Sequence, residues 1–383
     1  MTKGDGRAHK SSKNGKNSKI KKIRKDSWPV RKVIETLTKE DRAKIDDIYR
    51  RKKKTNRGRK GFSPHALFLA ILLMYLKRLD SVEELVRFLK LRKKWLKRLN
   101  LKRTVGNRKK YVVPDRTTFI KFLERAEDIL PEIFMYLVAR LVDKRIITGR
   151  ALTIDATIIK AWVKNCIKRS KSKKKRKYSD KDAKWGYCSS KEMWIYGYKV
   201  TILADVDSGL PIALTITPAN KAEGKQFETL VRLAYENFDF ETEEFMGDAA
   251  FDYNKIRKMI VTEIEAKPII DINPRNCKGK TKEEKKERRK KLLKKWYRKE
   301  FIYKYYVDPD GKEFDEKYDQ RTVSERINST SKESLRLDDL KFRGKKKAKS
   351  HVYISFIGML AVALTAERIG RPDLIRCVKC FTV

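Results

Sequence analysis

The spacing of apolar positions divides the chain into a helical first part and a mixed second part. Between residues 33 and 145 apolar side chains recur at helical spacing, and Ser63-Pro64 and the Ser81-x-x-Glu84 capping box each mark a helix start. At residues 151–159 the pattern changes to a β-branched strand. We therefore predict an N-terminal all-helical domain over residues 27–148 and an α/β domain after it.

The second part has the predicted order β-β-β-α-β-α-β, followed by a basic insertion and an apolar closing helix. Three antiparallel strands that lead into α/β crossovers indicate a mixed sheet flanked by helices on both faces. The predicted strands cover residues 151–159, 194–206, 210–217, 244–249 and 267–272, and the predicted helices cover residues 222–238, 253–264 and 352–368.

The charge of the chain indicates a polyanionic partner. Its 383 residues carry 96 Lys and Arg against 50 Asp and Glu, a formal net charge of +46. Nucleic acid is favoured over a membrane, because the apolar runs at residues 66–76 and 352–364 are too short to span one. The N-terminus lacks the apolar stretch of a secretory signal, so we expect a cytoplasmic protein. Residues 1–26 are basic with almost no apolar content, which predicts a disordered tail.

The five cysteines do not indicate a disulfide framework, because their number is odd and they are sparse. Cys377-x-x-Cys380 has half the spacing of a zinc ribbon, but no second pair follows it. A metal site remains an alternative there. We expect two reduced thiols in a C-terminal tail over residues 371–383.

One stretch near the C-terminal end has the residue types of a phosphodiester-cleaving site. Tyr318, Arg321, Glu325 and Lys332 follow one another at offsets that place all four close to one stripe of a helix. The carboxylate can hold a divalent metal ion, and the two cations can hold phosphates.

Two aspartates are candidate partners for Glu325. Asp155 lies inside an apolar strand, where a carboxylate is costly unless it is paired or bound to metal. Asp248 ends another strand, and ligand sites of open α/β sheets lie at such ends. Taken singly, Asp155 could instead cap a turn and Asp248 could be a helix N-cap. Together the three carboxylates could chelate two Mg²⁺ ions about 4 Å apart.

In these motifs the chain resembles DDE transposases of the insertion-sequence type, which have a ribonuclease-H-like catalytic core. The resemblance rests on Ile154-Asp155-Ala156-Thr157, Met246-Gly247-Asp248-Ala249 and all four positions of Tyr-x2-Arg-x3-Glu-x6-Lys, and it covers about residues 115–365. It implies that Asp155, Asp248 and Glu325 bind two Mg²⁺ ions, for which Mn²⁺ can substitute. It also implies that Arg321 and Lys332 hold transposon-end phosphates and that Tyr318 contacts the terminal nucleotide.

The resemblance also implies an organisation. A helical DNA-binding domain recognises terminal inverted repeats, and residues 149–272 and 318–370 form the catalytic domain, with a basic insertion at residues 273–317. The expected activity is cut-and-paste transposition: strand cleavage and strand transfer on double-stranded DNA by a homodimer associated with the nucleoid. The alternatives are a stand-alone nuclease of the same fold and a DNA-binding protein with a retired active site.

The insertion alternates aromatic and cationic residues around Trp296. Aromatic side chains stack on unpaired bases, so Trp296 is a candidate DNA contact. The plainer interpretation of this segment is the core of a small β-ribbon.

Overall fold

The structure is a computed structural model that describes residues 27–52, 61–164, 167–168, 178–188 and 191–382. The predicted basic tail at residues 1–26 lies outside these described residues, as does most of the cationic run at residues 168–177.

The N-terminal part consists mainly of helices. Their bounds are α1 (Ser27–Thr36), α2 (Lys39–Lys52), α3 (Pro64–Leu76), α4 (Val82–Leu91), α5 (Lys94–Arg98), α6 (Arg116–Arg125) and α7 (Leu130–Asp143). The pattern of residues 33–50 predicts one helix, but the chain breaks between α1 and α2. There the Thr38 hydroxyl accepts from the Asp41 N–H and the Asp41 carboxylate accepts from the Thr38 N–H, which caps α2 as a new helix.

The prediction of an all-helical N-terminal part is wrong at one hairpin. Strands β1 (Lys102–Val105) and β2 (Arg108–Tyr111) pair antiparallel. Their side chains are almost all exposed, so no apolar alternation reveals them. The signal that identifies the hairpin is Gly106-Asn107, with Gly106 at φ +60°, a backbone conformation that favours glycine in a two-residue turn.

The mixed sheet is confirmed. In the described part of the chain its strands are β3 (Ala151–Lys160), β4 (Ile167–Lys168), β5 (Lys184–Cys188), β6 (Met193–Asp205), β7 (Leu210–Pro218), β8 (Glu244–Gly247) and β9 (Lys267–Ile270). The order is β4-β6-β3-β8-β9, and β5 and β7 also pair with β6. The β3–β6 pair is antiparallel, whereas β8 is parallel to both β3 and β9. The short strands β4 and β5 were not predicted.

Helices cover both faces of this sheet. They are α8 (Phe227–Tyr235), α9 (Asn254–Thr262), α10 (Lys282–Lys299), α11 (Lys312–Tyr318), α12 (Thr322–Leu335) and α13 (Lys345–Arg368). Phe227 of α8 packs on Phe245, which pairs in register with Leu152 of β3. Asn328 of α12 instead contacts Asp155. Because side chains alternate along a strand, Asp155 lies on the face of β3 opposite to Leu152.

Helix α13 is the centre of the core. It packs against α1, α3, α6, α7, α12 and β7, so the N-terminal helices and the sheet share one hydrophobic cluster. Of the described helices it alone is long and apolar enough to cross a membrane, but 94% of its apolar window is buried inside the protein. The helix begins before residue 352, where the predicted helix starts. The prediction missed its first turns because they are cationic rather than apolar.

The insertion contains a helix rather than the β-ribbon that the plainer interpretation suggested. A capping box between Thr281 and Glu284 starts α10. Arg289, Leu293 and Tyr297 recur every four residues and form its buried stripe. Arg289 Nη2 lies 3.2 Å from Asp252 Oδ1, a carboxylate that also pairs with the core residue Arg257 at 2.9 Å. This buried ion-pair network fastens the insertion to the sheet domain.

The expectation of two reduced thiols at the C-terminus is wrong. A short 3-10 turn at Val378–Cys380 brings Cys377 and Cys380 to a Cα–Cα distance of 5.4 Å, and the two are joined by a disulfide. The pair is therefore not available as half of a zinc site.

Helix α13 also buries a histidine. His351 is 2% exposed, its Nδ1 lies 2.5 Å from the Tyr75 hydroxyl, and its Nε2 lies 3.2 Å from the Leu337 carbonyl oxygen. The neutral ring satisfies both contacts if Nε2–H donates and Nδ1 accepts. Burial disfavours the charged imidazolium and lowers the pKa of His351 to about 4.

This histidine should make the protein sensitive to acid. The folded-state pKa is below the ordinary value of 6.5, so the unfolded chain binds a proton first and stability falls as the pH drops from 6.5 towards 4. His351→Gln can keep both hydrogen bonds without titrating. We expect acidification from pH 7.5 to 4.5 to cost the natural protein about 2–3 kcal/mol more than this variant. Urea unfolding at both pH values measures it, and equal losses would contradict the assignment.

Candidate active site

The two candidate aspartates lie side by side because β3 and β8 run parallel. Ile154 of β3 is in register with Gly247 of β8, and Asp155 and Asp248 are the residues that immediately follow this pair. The carboxyl end of β8 therefore brings Asp248 to the middle of β3, where Asp155 is. Both side chains are partly buried, and the charge of Asp248 acts on Asp155.

Asp155 is held in a poorly solvated position. Burial is the main reason that the pKa of Asp155 is raised to about 6, and the carboxylates of Glu223 and Asp248 add to it. The backbone N–H of Ala156 and the guanidinium of Arg321 act in the opposite direction. Asn328 Nδ2 donates a hydrogen bond to Asp155 Oδ2 at 2.9 Å.

Asp248 has a structural role as well as its place in the cluster. It precedes the short 3-10 turn Ala249–Phe251, and its Oδ1 accepts from the Ala249 N–H at 2.6 Å. The N-cap interpretation of this residue is therefore realised in the structure. The cap fixes the direction of the carboxylate at the end of β8.

Tyr318 and Arg321 lie beside the two aspartates, but not on one helix with Glu325 and Lys332. Tyr318 ends α11, Arg321 lies in the 3-10 turn Asp319–Arg321, and only Glu325 and Lys332 are on α12. The Arg321 guanidinium lies 5.3 Å from the Tyr318 ring centroid, and its charge acts on both Asp155 and Asp248. Burial raises the pKa of Tyr318 to about 12.

Glu325 is at the edge of this group. Its side chain is 54% exposed, and its Oε1 pairs with Arg321 Nη1 at 2.9 Å. Among the described residues no three carboxylate, histidine or cysteine side chains are gathered closely enough to hold a metal ion. The structure thus brings Asp155 and Asp248 together and leaves Glu325 bound to Arg321.

Lys332 and Trp296 make their contacts elsewhere. Lys332 Nζ lies 3.9 Å from Asp338 Oδ1, near the far end of α12. Trp296 packs on the hydrophobic cluster of the insertion, with its ring 4.9 Å from that of Tyr297.

Two residues at the site were missed by the sequence reasoning. Asn328 contacts Asp155 directly, and Glu223 contributes to the charge around it while pairing with Lys199 at 2.7 Å. A buried asparagine inside a helix is unusual, because its side chain competes with the backbone for hydrogen bonds. The position of Asn328, one helical turn after Glu325, could therefore have indicated its place at the site. Nothing in the sequence connects Glu223 to Asp155.

The chemistry of the group fits a divalent cation. Mg²⁺ and Mn²⁺ prefer oxygen ligands, and Asp155 and Asp248 supply carboxylate oxygens from rigid strand positions. The buried Asn328 Oδ1 beside them has no hydrogen-bond partner. Glu325 can join these ligands only when its ion pair with Arg321 opens.

Comparison with known families identifies the family of the chain. The profile of the transposase DDE domain matches residues 148–360, more than half of the 383-residue chain. The chain belongs to this transposase family. A second profile, described as a transposase domain, matches residues 18–125 of the transposase. No curated protein and no solved structure matches the chain.

The resemblance that the motifs indicated is therefore confirmed at the level of the family. Membership implies DNA cleavage and transposition, and divalent metal ions are the usual cofactors of the family. Asp155, Asp248 and Glu325 all fall within the matched segment of the transposase.

The buried charge of Asp155 should cost the transposase stability. The pKa of Asp155 rises from the ordinary 3.8 to about 6 on folding, so stability present at low pH is lost as the pH rises through 6. Asp155→Asn keeps the acceptor for Asn328 without the charge. We expect it to stabilise the metal-free protein by about 1–3 kcal/mol at pH 7.5, and by less at pH 5. Urea unfolding with a chelator present tests this.

The matched control is Asp180→Asn. Asp180 is buried more deeply than Asp155, and it accepts hydrogen bonds from the Tyr198 hydroxyl and the Gly344 N–H. The NH₂ group of an asparagine there would face a group that itself donates a hydrogen bond. This variant should therefore be destabilised. If Asp155→Asn also lost stability, the prediction would be contradicted. The charge of Asp155 would then be compensated by other groups in the folded protein.

Proposed function

We propose that this transposase binds the terminal inverted repeats of its element as double-stranded DNA and catalyses cut-and-paste transposition. It cleaves the strands at the element ends and joins them to target DNA, acting as a homodimer in the cytoplasm at the nucleoid. The observation that carries the proposal is the pair Asp155 and Asp248 on adjacent parallel strands, with the cationic Arg321 acting on both. The ribonuclease-H-like character of the core is part of this proposal, supported by the mixed sheet.

Asp155, Asp248 and Glu325 are the proposed metal ligands and catalytic residues. Bound Mg²⁺ ions, or Mn²⁺ in their place, would supply activation of water or a 3′-hydroxyl and stabilisation of the leaving oxygen. Asp155 and Asp248 provide fixed, preorganised carboxylates. Because the pKa of Asp155 is about 6 in the absence of metal, this carboxylate is mostly ionised at neutral pH and ready to bind a cation.

Arg321 is proposed to change partners when DNA binds. In the free protein it pairs with Glu325. A scissile phosphate beside Asp155 and Asp248 would compete for the guanidinium through bidentate hydrogen bonds. Glu325 would then be released towards the aspartates. Tyr318 packs under Arg321 and would contact the terminal nucleotide from the same position.

The wider DNA contact is proposed to involve the helical N-terminal part and the insertion. The outer face of α10 exposes Arg288, Lys291, Lys294, Lys295 and Arg298, opposite its buried stripe. A cationic helix face of this kind follows a phosphate backbone. Lys332 would add a phosphate contact, and Trp296 would stack on a base only if it left its present packing against Tyr297.

The carboxylates can be tested directly. We expect Asp155→Asn, Asp248→Asn and Glu325→Gln each to abolish cleavage of a terminal-repeat duplex in Mg²⁺, with end binding nearly unchanged, because each removes a metal ligand but no phosphate contact. Glu333→Gln is the matched control, since Glu333 is on the same helix and, among the described residues, accepts a hydrogen bond from the exposed Ser329 hydroxyl alone.

A gel assay of nicked, cleaved and joined products measures both steps. Wild-type cleavage by Glu325→Gln would remove Glu325 from the site. Cleavage without joined products in the natural protein would favour a stand-alone nuclease over a transposase.

Arg321 can be tested by a change that keeps its charge. Arg321→Lys loses the planar fork that grips a phosphate, so the phosphate would be bound but misplaced. We expect cleavage to fall about a hundredfold, with a much smaller loss of DNA affinity. Arg326→Lys, at an exposed position of α12, is the control. Single-turnover nicking and gel-shift titration separate the two effects; an unchanged cleavage rate would make Arg321 a solvated charge.

A further inference from the structure

Asn328 of α12 lies outside the motif of Tyr318, Arg321, Glu325 and Lys332. Its side chain nevertheless forms a hydrogen bond to the candidate carboxylate Asp155. It is 7% exposed, and its Nδ2 donates to Asp155 Oδ2 at 2.9 Å. Asn328 follows Glu325 by three residues, which places the two on neighbouring positions of the same helix. The contact therefore connects the strand of the first carboxylate to the helix of the third.

The chemistry of Asp155 fixes the orientation of this amide. An ionised carboxylate only accepts hydrogen bonds, so the NH₂ group of Asn328 must face it. The opposite orientation would set the amide oxygen against the carboxylate. The observed orientation leaves Asn328 Oδ1 buried without a partner.

A purely structural role explains this residue poorly. Asparagine is unfavourable inside a helix, and a buried acceptor without a partner is unfavourable too. A leucine of similar size would avoid both costs at this position. What leucine cannot do is donate a hydrogen bond to Asp155.

We infer that Asn328 is a positioning residue that fixes the orientation of the Asp155 carboxylate for metal binding and sets its spacing from the helix that carries Glu325. The inference rests on the proposed function, since it takes Asp155 as a metal ligand. Partners that orient a metal-binding side chain typically change metal affinity or activity 10- to 100-fold when removed. Asn328 acts through Asp155, by the hydrogen bond that its NH₂ group donates to Oδ2.

The decisive variant is Asn328→Leu, because it removes the donor to Asp155 and fills the same place with an apolar side chain. Loss of the unpaired Oδ1 stabilises the variant and loss of the donor to Asp155 destabilises it, so the melting temperature serves to show that the variant is folded. Its affinity for Mn²⁺ without DNA, followed by the electron paramagnetic resonance signal of free Mn²⁺, should fall about 10-fold or more. Single-turnover cleavage should fall by a similar factor, with end binding unchanged.

The control is Ser331→Ala, one turn further along α12. Ser331 is buried and its hydroxyl lacks a hydrogen-bond partner among the described residues, Asp155 included. This variant should keep both Mn²⁺ affinity and cleavage. If Asn328→Leu does not fold, Asn328→Ala provides the same comparison with less change in shape.

Unchanged Mn²⁺ affinity and cleavage in a folded Asn328 variant would overturn the inference and leave Asn328 as a packing residue. That outcome differs from failure of the proposed function. If Asp155→Asn itself cleaved normally, Asp155 would not be a metal ligand, and the positioning role would fall with it. Loss in Asp155→Asn with no loss in Asn328→Leu would reject the positioning role alone.

Discussion

The site depends on the position of β3 in the middle of the sheet. One edge of β3 pairs antiparallel with β6, and the other pairs parallel with β8. The parallel pair sets Asp248 beside Asp155, while the face of β3 that carries Asp155 is covered by α12. Strand pairing admits no small sliding movement, because a one-residue slip would turn every side chain to the opposite face. The two aspartates are therefore fixed by backbone hydrogen bonds rather than by side-chain packing.

Two poorly solvated carboxylates of the protein behave differently. At Asp252 burial opposes ionisation, but Arg257 and Arg289 outweigh it and the pKa of that carboxyl is lowered. At Asp155 burial prevails, no cation in the described part of the chain forms an ion pair with it, and the pKa is raised. Asp252 stabilises the fold and anchors the insertion, whereas Asp155 holds a negative charge that the fold alone does not neutralise. An incompletely compensated buried charge is typical of a functional site.

Arg321 connects the acidic pair to the motif that follows it. It stacks on Tyr318, pairs with Glu325 and acts electrostatically on both aspartates. In this arrangement the third carboxylate is occupied by the cation that a phosphate would attract. In the free protein Asp155 and Asp248 therefore lie together, and Glu325 is held apart by Arg321. Under the proposed function, substrate binding would bring Glu325 to the two aspartates.

The sequence by itself determined the family, the mixed sheet and the identity of the acidic candidates. Strand β3 and the 210–217 and 244–249 segments were predictable because their apolar patterns reflect local backbone geometry and burial. The sequence missed the β1–β2 hairpin, whose exposed side chains carry no pattern. It also took α10 for a ribbon, because the aromatic residues near Trp296 obscured the four-residue spacing of Arg289, Leu293 and Tyr297.

Only the tertiary structure decided which side chains meet. Asn328 and Asp155 are 173 positions apart, and no local signal encodes a contact made when a helix docks on a sheet. The 3-10 turn Asp319–Arg321, which lies between Tyr318 and Glu325, was likewise invisible in a spacing that suits one continuous α-helix. Residue types and their order are local properties, whereas the distance between a carboxylate and its neighbours is set by long-range packing.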